Sequence, residues 1–373
     1  MKRFGFALGK MLSQLWHRSK GFIKGMAISL SDLPLEDIYI SYGYDRLPNS
    51  EKAAHGGIIK FQRLNEIFPN TPRRFNILYL GSSNRPPFAE QLCCIARRKG
   101  AKFVWNQNGV AYPAWMLSGW EEANAQMAEF LHRADYVFYQ SEFARSCANR
   151  FLGKRRGPSE ILYNAVDTKI FCPSAKSKDS NSIRLLVIGS QYHTYPLESS
   201  LRALAHINKS IPFVRMTIAG KIVDHVLNSV MKLIIDLGLK NHVKFVPPFT
   251  QNEALKIFRQ SDILLHTKIQ DVCPGVVIEA MSCGLPVVYS LSGGVPELVG
   301  EYGGVGVPTN ANWEERVPPE PAAWADAILT VAEDLNRYSK AARQRAVELF
   351  DFQLWQERHR QVFTELLEDQ AKS

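Results

Sequence analysis

Residues 271–297 read DVCPGVVIEAMSCGLPVVYSLSGGVPE. Pro274 suits the first turn of a helix, where its missing N–H costs nothing, Gly284 suits the left-handed position just past the helix end, and Pro286 bars continuation. The spacing predicts a short helix over residues 274–283 between two strands. The head of such a helix presents unpaired N–H groups and the positive end of the helix dipole, an anion site suited to a diphosphate. Cys273, Pro274, Gly275, Val276 and Val277 surround that head and are expected to meet a phosphorylated ligand through the backbone. Glu279 lies one turn in from Gly275, where a carboxylate reaches past the phosphates to the vicinal hydroxyls of a ribose. Asp271, just ahead of the helix, is placed to meet a sugar carried on the diphosphate.

Working outward, short apolar runs alternate with amphipathic stretches on both sides, the pattern of parallel sheets wrapped by helices. Strands are expected over residues 183–188, 214–218, 243–245, 263–265 and 286–289, with helices over 197–207 and 226–237. An earlier set, over 37–42, 75–80, 102–106, 136–139 and 160–163, ends in small or polar residues such as Gly81-Ser82-Ser83-Asn84 and Ser141-Glu142. Ligands gather at those carboxyl ends in open α/β sheets. Gly189 closes the first strand of the later set in the same way. Residues 173–182, PSAKSKDSNS, lack apolar periodicity and read as a linker. A chain of 373 residues with 46% in the hydrophobic set supports two domains. Their expected extents are 32–180 and 181–349, after a basic arm over 1–31. Phe352, Trp355, His359, Val362, Phe363 and Leu366 mark a last amphipathic helix within 350–373.

The quoted segment resembles the signature of the retaining glycosyltransferase family 4. That family carries two acids with seven residues between them, an Ala-Met-x-Cys-Gly-x-Pro-Val-Val run and a Gly-Gly-x-Pro-Glu turn. Asp271 and Glu279 match the acid pair, with Asp in place of the usual first Glu, and residues 280–288 and 293–297 match the rest. A weaker likeness extends over most of residues 36–368, including His55-Gly56-Gly57 and Asn164-Ala165-Val166-Asp167. The resemblance implies the GT-B fold: two Rossmann-like α/β domains with parallel sheets facing across a cleft, the terminal helix crossing back onto the first. It implies a nucleotide-sugar donor and transfer with retention to a hydroxyl acceptor; the basic arm suggests a glycan or lipid-linked acceptor in envelope or polysaccharide synthesis, and no cofactor is expected. Gly56, Gly57, Gly293 and Gly294 are expected to line the cleft, and Pro248 and Phe249 to lie against the base.

Two departures from the family stand out. An Arg and a Lys usually follow the first strand of the second domain and neutralise the diphosphate. Residues 189–196 read GSQYHTYP and contain neither; Lys268 and Lys221 are the candidate substitutes. Where relatives carry a His facing the donor sugar, residues 105–113 read WNQNGVAYP. Asn106 or Asn108 can bind sugar hydroxyls without serving as a base at neutral pH, and Asn108 is grouped with the two acids at the reacting centre. Tyr112, Trp115 and Trp120 are candidates for stacking on a sugar face. The missing cation pair keeps open an alternative, a GT-B protein that binds nucleotide-sugar or glycan without transferring it.

Net charge is +9, and residues 1–31 hold Lys2, Arg3, Lys10, Arg18, Lys20 and Lys24 with no acid, so the excess is mainly N-terminal. Phe4, Leu8, Met11, Leu12, Leu15 and Trp16 form an apolar stripe beside that charge. Residues 1–24 therefore suit an anionic membrane surface, the stripe being too short to span one; a helix packed on the protein body accounts for it equally. Charge concentrated in one arm, without aromatics interleaved on a sheet, argues against nucleic acid. Six cysteines without CxxC spacing, and no secretory signal, read as reduced thiols in the cytoplasm, peripheral at the inner membrane face if the arm binds there. No HExxH, His/Cys cluster or Asp-x-Asp pair calls for a metal.

Overall fold

The computed structural model describes residues 26, 28, 31–34, 37–47, 56–174, 182–209, 211, 213–310 and 312–371. The apolar stripe of the basic arm and His55 lie outside them. Two all-parallel sheets carry the fold. The first runs β1 (Ile40–Ser41), β2 (Ile77–Gly81), β3 (Lys102–Gln107), β4 (Tyr136–Tyr139) and β5 (Ser159–Ile161) in that spatial order. Alternate residues of its strands feed two cores. Leu78, Leu80, Phe103, Trp105, Val137 and Tyr139 pack with α2 (Ala89–Arg98), α3 (Trp120–Arg133) and α4 (Glu142–Phe151). Ile77, Tyr79, Val104, Tyr136 and Phe138 pack instead with α1 (Gly56–Asn65) and with α12 (Phe352–Ala371). The last helix of the chain thus covers a face of the first sheet, because Trp355, Val362 and Phe363 supply the apolar stripe that face requires.

The first strand is shorter than the 37–42 run expected. Asn76 explains this: its side chain accepts the Tyr39 N–H (2.9 Å) and donates to the Pro34 and Asp37 carbonyls, so side-chain bonds stand in for ladder bonds.

The second sheet contains β6 (Arg184–Ile188), β7 (Arg215–Ala219), β8 (Val243–Val246), β9 (Ile263–His266), β10 (Val287–Leu291) and β11 (Gly304–Pro308), in the order β8-β7-β6-β9-β10-β11. This is the doubly wound order, whose switch point lies between β6 and β9, and ligands bind in the crevice outside the strand ends there. Residues 189–190 and 267–271 leave the sheet at that crevice. Helices α5 (Thr194–Ile207), α6 (Asp224–Asp236), α7 (Gln251–Arg259), α8 (Gly275–Ser282), α9 (Val295–Val299), α10 (Pro321–Glu333) and α11 (Leu335–Leu349) complete the unit.

The β11 strand, Gly304-Val305-Gly306-Val307-Pro308, is not among the strands expected from the sequence. Its glycines are there for proximity: a Cβ on Gly304 would meet the Val287 carbonyl oxygen at 1.9 Å. Being at the sheet edge, β11 also tolerates its terminal proline. Gly304→Ala is therefore expected to destabilise the protein by about 2–3 kcal/mol or more through overpacking, measured as a shift in the urea midpoint.

Candidate active site

The 274–283 segment forms α8 over Gly275–Ser282, with Pro274 in extended conformation one residue ahead of it. Its end is a Schellman motif: Gly284, at φ +74°, donates to Met281 O, and Leu285 donates to Ala280 O, each at 2.9 Å. At the head, Val277 N–H turns back onto Pro274 O (3.1 Å), and its side chain is fully buried in the core. The exposed donors of the helix head are thus the N–H groups of Gly275 and Val276, both of which line a cavity of about 390 Å³ between the two sheets' carboxyl ends.

That cavity gathers Glu279, Asp271, Cys273, Pro274, Lys268 and Gly189 from the second domain with Gly57 and Asn108 from the first. Gly56 is the first residue of α1. Pro248, which is exposed, and Phe249, which packs on the core of the second domain, do not line this cavity. Lys221 is exposed and lines no part of it. Gly293 and Gly294 support the wall from behind. A Cβ on Gly293 would meet Asp271 O at 2.4 Å, one on Gly294 would meet Val272 O at 2.0 Å, and Gly294 N–H donates to Asp271 O (2.9 Å).

Two cations that the sequence reading missed face this cavity from α1. Lys60, one turn after Gly57, donates to Asn106 Oδ1 (2.5 Å) and to Asn108 Oδ1 (3.2 Å). Burial lowers its pKa to about 7, so a large part of its charge is held in reserve near neutral pH. Arg63 sits a further turn on, its guanidinium 3.9 Å from Glu279 Oε1 and hydrogen-bonded to the Ala165 carbonyl. Burial raises Glu279 to about 7 against the pull of Arg63. The helical spacing of Lys60 and Arg63 after Gly57 was the available signal; with no strand-end position between them, nothing local distinguished them from surface charges.

Asp271 is governed differently. Burial pushes its carboxyl up, but the adjacent His266 imidazole, Lys268 and the Val272 N–H more than offset this and hold it below the usual range. His266 Nε2 lies 3.2 Å from Asp271 Oδ2. Lys268 Nζ donates to Ser190 O (3.1 Å) at the same crevice. Gln270, immediately before Asp271, is the sole non-glycine residue with positive φ (57°) among the described residues, a strained backbone of the kind that persists at functional sites.

The lobes are tied together around this point. Asn164 Nδ2 donates to Cys273 O (2.7 Å), and Glu297, from the Gly-Gly-x-Pro-Glu turn, accepts the Glu142 and Phe143 N–H groups at 2.7 and 2.8 Å. Glu297 therefore satisfies the head of a helix belonging to the opposite domain. Behind Lys60, a buried chain runs from Asn106 Nδ2 to Tyr79 Oη (3.2 Å) to His359 Nε2 (3.1 Å), whose Nδ1–H donates to Trp355 O (2.8 Å). Burial drives His359 down to about 3, which keeps it neutral and fixes this tautomer.

Comparison with known proteins agrees with this architecture. Residues 172–345 match the family model described as glycosyl transferases group 1. The second domain belongs to that family. D-inositol 3-phosphate glycosyltransferase of Mycobacteroides abscessus is 29% identical over 177 residues, 45% of this chain and 38% of its own length. That of Saccharomonospora viridis is 31% identical over 122 residues, 32% and 26% of the two lengths. The chain thus spans less than half the length of these curated relatives. Among solved structures, sucrose-phosphate synthase from Thermosynechococcus elongatus superposes with a TM-score of 0.68 at 18% identity, over 79% of this chain and 74% of that one. HepE from Anabaena, solved in complex with UDP-glucose, gives 0.63 at 19% identity over 78% and 79%. These likenesses show the GT-B fold for this chain.

The titrations make a prediction. Lys60 ordinarily titrates near 10.5 and in the folded chain near 7. The unfolded chain then binds more protons between those values, so stability rises with pH across that window. In Lys60→Met that rise is expected to vanish and the melting temperature at pH 7 to increase by a few degrees, on the order of 1 kcal/mol, read by calorimetry at pH 7 and 9.

Proposed function

We propose that the protein transfers a sugar from a nucleoside diphosphate sugar to a hydroxyl acceptor, with retention at the anomeric carbon. The observation that carries this reading is the cavity itself: an exposed helix head, two carboxylates of opposite titration behaviour and three cations converge on one volume at the doubly wound switch point. Glu279 accepts hydrogen bonds from the ribose diol. The diphosphate lies against the Gly275 and Val276 N–H groups, with Lys60, Arg63 and Lys268 supplying the charge that the missing Arg/Lys pair supplies elsewhere. This weakens the alternative of binding without transfer, whose motive was that missing pair.

In the transfer step the C1–O bond to the β-phosphate breaks and the acceptor oxygen forms its bond to C1 from the same face. The acceptor proton passes to the departing phosphate oxygen, so no separate protein base is needed. Asp271, held ionised, stabilises the positive charge that develops at C1, while the helix head and cations stabilise the leaving diphosphate. Asn108 binds a sugar hydroxyl. These cations do the work that a divalent metal would otherwise do, so EDTA is expected to leave the rate unchanged. An acceptor at a membrane face is the reading suggested by the basic stretch 1–24; among the described residues no helix is long and apolar enough to cross a membrane.

Titration of UDP, GDP, ADP and CDP and their sugars tests the donor site. One nucleotide is expected to bind, with Glu279→Ala weakening it roughly ten- to a hundred-fold, on the order of 1.5–3 kcal/mol for hydrogen bonds to a charged group. Asp271→Asn is expected to retain that binding while slow donor hydrolysis falls at least a hundred-fold, and the product anomer read by NMR is expected to match the donor's. Binding of nucleotide above pH 7 is expected to take up a proton onto Lys60, seen as a buffer-dependent binding enthalpy that Lys60→Met removes. Failure of every nucleotide to bind would sink the proposal.

A further inference from the structure

A second cavity, about 540 Å³, opens on the other side of Asp271 and shares Ser190, Lys268 and Asp271 with the first. Its walls come from both domains: Arg85, Tyr112, Trp115 and Phe143 on one side, Gln191, Tyr195, Gln270 and Arg316 on the other. The loop that carries Arg316 is fixed across the cleft. Trp313 packs among Tyr112, Phe143 and Phe151, with centroids 5.1, 5.9 and 5.1 Å away, and its carbonyl accepts the Ala114 N–H at 2.8 Å.

Three residues of this wall hold buried polar atoms without a hydrogen-bond partner: Gln191 Oε1, Gln270 Oε1 and Arg316 Nε. Gln191 and Gln270 are only 1% and 5% exposed. Each such atom costs about 1–3 kcal/mol when unsatisfied, so a native structure is expected to pair them with something. Two are acceptors and call for hydroxyl donors; the third is a cationic donor and calls for an anion. Charge agrees. Among the described residues, Arg85, Lys268 and Arg316 line the cavity against a single acid, Asp271, whose Oδ2 lies 3.2 Å from His266 Nε2. The His193 imidazole at the same wall is lowered by burial and then by Arg316 and Lys268. At the mouth, Trp115 and Tyr192 are 56% and 48% exposed and offer ring faces for the C–H face of a sugar.

We infer that this cavity is the acceptor site and takes a hydroxylated sugar or cyclic polyol bearing a phosphate or carboxylate, its anion on Arg316 and Arg85 and its hydroxyls on Gln191 and Gln270. The role as acceptor site rests on the proposed transfer; the chemistry of the ligand rests on the cavity alone. A hydroxyl held there faces Asp271, where the two cavities meet.

The test is calorimetric titration of glucose 6-phosphate, glucuronate and glucose, in parallel with the nucleoside diphosphate panel, into the wild-type chain, Arg316→Met, Arg316→Lys and Glu279→Ala. At least one of the two anionic sugars is expected to bind ten-fold or more tighter than glucose, and which one does so distinguishes phosphate from carboxylate. R316M is expected to abolish that preference with nucleotide affinity changed less than two-fold, R316K to restore part of it, and E279A to weaken nucleotide while leaving anionic sugar binding unchanged. Glucose binding as well as its anionic forms, no binding of either anion, or R316M weakening nucleotide and sugar anion equally would overturn the inference. Intact anionic sugar binding with no nucleotide bound would instead overturn the proposed transfer and leave the ligand chemistry standing.

Discussion

The contact of the 293–294 turn with the backbone of residues 271–272 holds the centre of this molecule. Two chain segments approach there so closely that neither Gly293 nor Gly294 has room for a Cβ, and the Gly294 N–H ties itself to Asp271 O. That contact forces Asp271 to leave β9 through a strained Gln270 and delivers its carboxylate to His266 and to the shared wall of both cavities. The same turn continues into Glu297, which reaches the head of α4 in the other domain. Positioning of the acid and contact between lobes are thus products of one backbone feature.

Around it, the electrostatics divide into two regimes set by burial and partners. Asp271 keeps its charge because a histidine, a lysine and a backbone donor compensate its desolvation, whereas Glu279 and Lys60 sit near the midpoint of their titrations at neutral pH because their compensation is incomplete. Incomplete compensation has a functional reading. A site that accepts a polyanion benefits from a cation that is only partly neutralised by the protein, since a diphosphate restores its proton and its partner together. The buried Lys60 costs stability, in keeping with the general cost of preorganised sites.

The buried chain from Asn106 through Tyr79 to His359 extends this dependence to the far end of the sequence. Helix α12 belongs to the core beneath the first sheet, and its histidine fixes the orientation of the amide that receives Lys60. Phe352 and Trp355 of the same helix close one end of the cavity that holds Glu279. The C-terminal helix therefore acts on the site by packing and by hydrogen bonding, although it begins 55 residues beyond the segment that first revealed the fold.

What the sequence by itself determined was whatever depends on local order. The proline and glycine around α8 set its start and its Schellman end, apolar runs set the expected strands, and the spacing of Asp271 and Glu279 put both acids near one helix head. Local rules failed at β1, where Asn76 replaces ladder bonds from a distance, and at β11, whose glycines are demanded by the neighbouring strand. Only the tertiary structure brought Lys60 and Arg63 to the cavity, set Arg316 across the cleft behind Trp313, and placed Val277 in the core and Pro248 in solvent. The physical reason is that a charge acquires its role from the dielectric and partners it meets after folding. Those are supplied here by elements from 46 residues away, for Lys60 and Asn106, to 216 residues away, for Arg63 and Glu279, so no local window of sequence contains them.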